Sequence, residues 1–362
     1  MKVAADNLIW YGRNFDYQDV RYFSFSSSGF CLVMKGKKAS AKILSDPQNC
    51  DKTTKGVIGV FVSEGNDTSW NSLPQEPTYR YSLENTENDC ILFESEEEKV
   101  VTIRVIKFSE APFGYAGLKS LEIEGNLNPD FLKDYQNNNQ LKVEIIGDSI
   151  TCGYGIEGVF NKDSFTTQQE RADKSYAFLT AKMLNAKLQC CSWSGIGLVS
   201  KYVDENTINP DTVITMPLLW PYTDRQTQLK LGLEPSVWDE SRFSPDLVIV
   251  HLGTNDASWV KKVEERRLLY VSALRTFIEA IHRRSPKAKI LCALGVMGQD
   301  LCDSVEQAIG EVKKDFPKLS LKAVKFPVQS DDDGIAADWH PSAKTHKKMA
   351  EQLTKELEKF IN

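Results

Sequence analysis

"KVEIIGDSITCGYGIEG", residues 142–158, begins with a short apolar run that stops at Gly147-Asp148-Ser149 and is followed by Gly153, Gly155 and Gly158. Two chemistries compete for this stretch. The glycines spell G-x-G-x-x-G, a nucleotide-binding pattern. Alternatively, Ser149 sits at the end of a buried strand as a nucleophile. A dinucleotide fingerprint needs its first glycine in the tight turn directly after the strand, so that the pyrophosphate meets the helix N-terminus. Here the strand ends near Ile146 and Gly153 comes seven residues later. No acidic residue is obviously placed to hold a ribose, and the P-loop Gly-Lys-Ser/Thr is missing. The serine reading is the stronger one. At the carboxyl end of a parallel strand, the backbone N–H of Ser149 faces the ligand side and can stabilise an oxyanion.

Working outward, the chain alternates between strand-like and helix-like segments from about residue 138 onward. Five apolar runs ("VEII", "KLQCCSW", "DLVIVHLG", "KILCALG" and "SLKAVKF") read as buried strands. Near-continuous apolar character is what a parallel sheet covered on both faces requires. Between them, "EERRLLYVSALRTFIEAIHRR" places Leu269, Leu274, Phe277, Ile278 and Ile281 on one helical face. The final "AKTHKKMAEQLTKELEKFI" repeats at Met349, Leu353 and Leu357, with Phe360 and Ile361 after them. The reading is α/β: a C-terminal doubly wound, five-stranded, flavodoxin-like parallel sheet over 138–362. Such sheets bind ligands beyond the carboxyl ends of their strands.

Before residue 138 the pattern changes. "RYFSFSSSGFCLVMKG", "GVIGVFVSEG" and "KVVTIRVIKFSE" follow the two-residue period, with turn residues between the runs. Residues 1–137 therefore read as an all-β sandwich, and the Asn-rich "KDYQNNNQ", residues 133–140, as the linker.

Composition narrows the function. The chain has 362 residues, 41% hydrophobic and 26% charged, with a formal net charge of -6. That is ordinary for a globular protein, and the acidic balance speaks against nucleic acid as a partner. No stretch approaches the roughly 20 apolar residues of a membrane span. The opening "MKVAADNLIW" lacks the apolar core of a signal peptide. A secreted or periplasmic address would need a leader outside this sequence, and a cytoplasmic one fits the same residues. The eight cysteines form no C-x-x-C pair, and read as small buried hydrophobes rather than zinc ligands.

A serine nucleophile needs a base, and there are four histidines. His282 lies in the long helix and His346 in the last one. His251 ends the third strand, a normal buried position. His340, in "AADWHPSAK", lies in the loop after the fifth strand, at the carboxyl edge, and is the best base. "HLGTNDA" puts Asn255 at the end of the third strand, where its amide can donate toward a developing oxyanion. "SWSGIG" puts Gly195 after the second strand with an unhindered N–H. Alone, Asn255 reads as a turn or cap and Gly195 as a turn glycine. Their weight comes from convergence: Ser, Gly, Asn and His follow four strand ends in order, on one edge.

This order resembles the four blocks of the SGNH, or GDSL-type, hydrolases over roughly residues 140–362. The stretches "GDSITCGYGIEG", "SWSGIG" and "DWHPS", after a β-rich region of about 135 residues, are similar more narrowly to carbohydrate esterase family 2. The resemblance implies a jelly-roll domain followed by an SGNH domain, and removal of acetyl groups from plant polysaccharides such as xylan and glucomannan. It implies Ser149 as nucleophile and His340 as base. Ser149 N–H, Gly195 N–H and the Asn255 side chain would form the oxyanion hole. No metal or cofactor is called for; "SDDDG", residues 330–334, reads as a solvated acidic loop. A carbohydrate-binding protein with a vestigial site and a lipid esterase or thioesterase are the alternatives.

One position departs from the pattern. The superfamily places an Asp three residues before the histidine, where this chain has Ala337; Asp338 lies two before. The expectation is that the Asp338 carboxylate orients His340, with a backbone carbonyl as the alternative. The segment 200–242 interrupts the α/β alternation and suits a substrate-binding insertion. Trp339, Trp220 and Trp259 are the candidates for a sugar platform, while Trp193 and Trp238 read as packing residues.

Overall fold

The structure is a computed structural model that describes residues 1–49, 51–128 and 130–361. Its N-terminal part is a curled antiparallel sheet of eight strands. These are β1 (Ile9–Tyr11), β2 (Phe15–Tyr17), β3 (Val20–Phe23), β4 (Gly29–Leu44), β5 (Val57–Glu64), β6 (Tyr79–Ser82), β7 (Glu87–Lys107) and β8 (Ala116–Leu127). The order is β2-β3-β8-β4-β7-β5-β6, with β1 paired to β4. The long strands β4 and β7 make the curl possible. Their pairing shifts register between Gly36 and Lys38 and again between Ala39 and Ser40, and such bulges bend a strand and increase its twist.

The stretch read as a linker is partly helical. Helix α1 (Phe131–Asn137) covers much of it and buries Phe131, an anchor that the Asn-rich composition conceals.

The five apolar runs all form strands of one parallel sheet: β9 (Lys142–Gly147), β10 (Lys187–Ser192), β11 (Leu247–His251), β12 (Lys289–Leu294) and β13 (Leu321–Lys325), in the order β10-β9-β11-β12-β13. Between them lie α2 (Ser149–Cys152), α3 (Tyr176–Met183), α4 (Met216–Leu219), α5 (Arg225–Lys230), α6 (Thr254–Val260), α7 (Glu264–Arg284) and α8 (Cys302–Asp315), and α9 (Ala343–Ile361) follows the last strand. Alternate strand residues feed two cores. Val143, Ile145, Leu188, Ile249 and Leu291 join Met349 and Leu353 of α9 and the interior of the antiparallel sheet in one cluster. Ile146, Cys191, Val248, Val250 and Cys292 join Phe277 and Ile281 of α7 and Val305 and Ile309 of α8 in another. Strands β9 to β12 are buried on both faces, which is why they read as continuous apolar runs. On α7, Tyr270 takes the buried place expected of Leu269, which is 54% exposed.

The two sheets are locked together by polar contacts as well. Arg13 pairs with Glu144 of β9 at 2.9 Å, both fully buried. Arg171 reaches Glu76 at 2.9 Å, and Trp70 Nε1 donates to the Ala186 carbonyl at 2.8 Å. The insertion 200–242 leans on the antiparallel sheet through Thr227 to Ser24 and Lys230 to Asp46. The seven described cysteines are all buried and unpaired; Cys50 lies outside the described residues.

Candidate active site

Ser149 is the first residue of α2, one step beyond the cap residue Asp148 and two beyond the end of β9. A Cβ on Gly147 would collide with the Thr151 side chain, so only glycine lets the chain turn this sharply from strand into helix. Asp148 caps the turn by accepting from Ile150 N–H at 3.1 Å. Burial pushes the Asp148 carboxyl up to about 7.

The glycine burst serves the other half of the site. Gly153 closes α2 at φ +81°, a left-handed conformation that suits glycine. A Cβ on Gly155 or on Gly158 would come within 2.8 Å of Ala337 Cβ. Their bareness lets the loop that carries His340 lie directly on residues 153–158, where Ala337 N–H also donates to the Gly155 carbonyl at 3.3 Å.

That contact brings His340 Nε2 to 2.8 Å from Ser149 Oγ. Nδ1 lies 3.1 Å from the Asp338 carbonyl and 3.3 Å from the Ala337 carbonyl. Carbonyls only accept, so Nδ1 carries the proton and Nε2 offers its lone pair to the serine hydroxyl. The Asp338 carboxylate is turned elsewhere, accepting from Tyr154 Oη–H at 2.8 Å. This corrects the expected triad: Asp338 orients the imidazole with its main chain, not its side chain. The cause is local. Asp338 (φ 49°) and Trp339 (φ 65°) are both left-handed, and this tight turn swings the carbonyls toward the ring. The Tyr154 ring lies 4.3 Å from the imidazole and stacks on Phe165 at 3.7 Å. His340 is half-buried under this pair, and burial pushes its pKa down to about 4 against the opposing pull of the two carbonyls.

The donors expected for an oxyanion hole are Ser149 N–H, Gly195 N–H and Asn255 Nδ2. Gly195, at φ +74°, has open space where a Cβ would stand. Among the described residues neither Gly195 N–H nor Ser149 N–H donates to another protein group. Asn255 Nδ2 gives one hydrogen to the Ile196 carbonyl at 2.8 Å, and its other contact is a long 3.5 Å approach to Asp148 Oδ2. Behind them, Asp256 accepts from the N–H groups of Leu198, Val199 and Ser200 at 2.7–3.1 Å. It thereby fixes the loop on which Gly195 sits. Asp256 stands inside the quoted "GTND" and Tyr154 inside "GYG", yet their roles become visible only through these partners.

His251 and His346 are structural. His251 Nδ1 contacts Tyr176 Oη at 3.0 Å, and His346 Nδ1 accepts from Tyr176 N–H at 3.0 Å. Burial pushes both down to about 3. The tryptophans divide by exposure. Trp339 is 47% exposed, next to His340 and edge-on to Phe160. Trp220 and Trp259 are buried, and this corrects their expected place on a sugar platform. Trp220 Nε1 donates to Glu144 at 3.3 Å beneath the sheet, and Trp259 Nε1 donates to the Ile208 carbonyl at 2.9 Å. Trp193 and Trp238 are buried too. Tyr202, in the insertion, was not anticipated; it is 61% exposed, and its N–H donates to the Gly195 carbonyl at 2.8 Å. Asp333 of the acidic loop pairs with Lys344 and Lys348 at 2.8 and 2.6 Å. Among the described residues no cluster of His, Cys, Asp and Glu is arranged to hold a metal, and no helix is long and apolar enough to cross a membrane.

A serine and a histidine 2.8 Å apart on the carboxyl edge of a five-stranded parallel sheet, with unpaired N–H groups at Ser149 and Gly195, define a hydrolase-type site on an SGNH fold. The chain belongs to the GDSL-like lipase/acylhydrolase family, which it matches over residues 145–348. It is 38% identical over 223 residues to the cellulase/esterase CelE of Acetivibrio thermocellus, a match that covers 60% of this chain and 25% of that protein. It is 28% identical over 306 residues to an acetylxylan esterase/glucomannan deacetylase of Cellvibrio japonicus, covering 83% of this chain and 79% of the relative. A family two carbohydrate esterase from Clostridium thermocellum, solved in complex with cellohexaose, superposes with a TM-score of 0.80 at 29% identity, covering 98% of this chain and 99% of that one. An acetyl xylan esterase from Butyrivibrio proteoclasticus shares the fold, with a TM-score of 0.84 at 21% identity and coverage of 100% and 98%.

Proposed function

We propose that this chain is a carbohydrate esterase that removes O-acetyl groups from plant cell-wall polysaccharides, acetylated xylan or glucomannan, through a serine acetyl-enzyme. The observation that carries the reading is the 2.8 Å approach of His340 Nε2 to Ser149 Oγ, with Nδ1 committed to backbone carbonyls. In this reading residues 1–137 form the β domain and 138–362 the catalytic domain. His340 takes the Ser149 hydroxyl proton as Oγ attacks the acetyl carbonyl. Ser149 N–H, Gly195 N–H and Asn255 Nδ2 stabilise the oxyanion. The imidazolium then returns its proton to the departing sugar oxygen, and acetyl-Ser149 remains. Water, deprotonated by His340, attacks the acetyl carbonyl; the imidazolium returns that proton to Ser149 Oγ as its bond to the acetyl group breaks, and acetate leaves. The reaction calls for no metal or cofactor.

The exposed rings of Trp339 and Tyr202 beside the base and the Gly195 loop offer flat apolar faces to the C–H faces of sugar rings. They support a saccharide over a lipid acyl chain as the substrate. A cell-wall polysaccharide also implies a secreted or periplasmic place of action. The test is mass-spectrometric tracking of acetyl loss from defined acetylated xylo- and mannan-type oligosaccharides, with Ser149→Ala as control. Acetyl loss that depends on Ser149 supports the proposal. Binding without acetyl loss would make the chain a carbohydrate-binding protein, and preference for long acyl chains would make it a lipid esterase or thioesterase.

A further inference from the structure

Gly195 is poorly held by packing. Nothing lies within 4 Å of the position its Cβ would occupy, and its backbone is left-handed at φ +74°. Hydrogen bonds on either side of it do the work that packing does elsewhere. On one side, Asn255 and Asp256 secure Ile196 through Ser200. On the other side the holder comes from the antiparallel sheet. Glu110, three residues beyond the end of β7, is fully buried. One carboxylate oxygen accepts from the Ser194 N–H and the other from the Ser194 hydroxyl. Ser194 shares its peptide bond with Gly195, so this two-point grip controls the plane from which the Gly195 N–H projects.

The surroundings of Glu110 suit that task. Its own N–H donates to Glu170 Oε2 at 3.3 Å, and Lys107 Nζ donates to its carbonyl at 3.1 Å. Burial and the neighbouring Glu110 charge push the Glu170 carboxyl far up. Burial pushes the Glu110 carboxyl up as well, and the two Ser194 donors that meet it act against that rise. A buried carboxylate is costly unless hydrogen-bonded, and here its strongest bonds go to the loop beside the nucleophile.

We propose that Glu110 is a positioning residue for the oxyanion hole, acting through Ser194 to aim the Gly195 N–H, so that the β domain is a working part of the active site. The inference rests on the esterase reading above. The test is steady-state kinetics of the full chain on an aryl acetate for wild type, Glu110→Ala, Glu110→Gln, Ser194→Ala, and each combined with Asn255→Ala. A donor displaced by a fraction of an ångström loses part of the roughly 10²–10³-fold that one oxyanion donor supplies. Glu110→Ala is expected to lower kcat about 10–100-fold with KM within about threefold. Ser194→Ala removes only the hydroxyl bond and is expected to lower kcat roughly three- to tenfold. Glu110→Gln keeps the shape and falls between wild type and alanine. Combined with Asn255→Ala, the Glu110 loss should shrink, because both act on one hole.

A kcat within twofold of wild type in Glu110→Gln and Ser194→Ala would overturn the proposal. So would a rise in KM alone, or losses that simply multiply with Asn255→Ala. If Glu110→Ala fails to fold, the other two variants decide. An inactive wild type overturns the esterase reading and this one with it, whereas an active wild type with unaffected variants overturns this one alone.

Discussion

Replacing the Asp338 carboxylate separates two ways of building this site. In a triad whose carboxylate holds the imidazole, changing Asp to Asn leaves the geometry intact but turns the ring to the wrong tautomer, at a cost of about 10⁴ in kcat. Here the His340 ring is held by the Asp338 and Ala337 carbonyls at 3.1 and 3.3 Å, and those survive any side-chain change. What Asp338→Asn loses is a negative charge near the imidazolium and part of one exposed bond to Tyr154 Oη, 2.8 Å long. An exposed hydrogen bond of this kind is worth about 1 kcal/mol, and 1.4 kcal/mol is tenfold in rate. Asp338→Asn should therefore lower kcat less than about tenfold. Asp338→Ala should do worse, because residue 338 sits at φ 49°, ψ 41°. A left-handed backbone costs an ordinary L-residue roughly 1–2 kcal/mol, a cost that Asn and Asp partly escape. Asp338→Gly tolerates the same backbone and should lie near Asn. The expected order of kcat is wild type, then Asn and Gly, then Ala, all within roughly 10²-fold. The assay is aryl-acetate turnover on variants whose circular dichroism matches wild type. A loss of 10³-fold or more in Asp338→Asn would show that the carboxylate, not the carbonyls, orients His340, and the dyad reasoning would fall.

Other consequences can be checked with the same preparations. Asn255→Ala should lower kcat by about 10²–10³ with little change in KM; a change confined to KM would make Asn255 a substrate or loop contact only. Because burial pushes His340 down to about 4, kcat/KM should rise with pH through a limb near that value as the base becomes neutral, and a limb near the ordinary histidine value would contradict it. Nitrogen NMR of the imidazoles should find His251 and His346 still neutral at pH 5, since burial holds both near 3; a titration midpoint above 6 for either would refute their burial. Trp339→Ala should raise KM for an acetylated oligosaccharide roughly five- to tenfold and leave an aryl acetate nearly unchanged, as expected from losing on the order of 50 Å² of apolar contact at about 25 cal/mol per Å²; equal effects on both substrates would remove Trp339 from the platform.

The parallel sheet and four strand-end motifs were legible in the sequence for a physical reason. A sheet buried on both faces leaves unbroken apolar runs, and its ligand edge must collect reactive residues just after them. Ser149, Gly195, Asn255 and His340 each follow such a run, so local pattern was enough to bring them to one edge. Gly155 and Gly158 were conspicuous too, but their purpose was not, because their partner, Ala337, lies about 180 residues away. Tertiary structure alone decided what depended on direction and distance. Whether Asp338 works through its carboxylate or its carbonyl turned on two left-handed residues that no periodicity announces. Which tryptophans meet solvent turned on how the insertion folds back: Trp220 sinks beneath the sheet while Trp339 stays out. The Glu110 grip on Ser194 spans 84 positions and both halves of the chain. A pairing of that kind leaves no local trace, because the hydrogen bond exists only after the two sheets have packed.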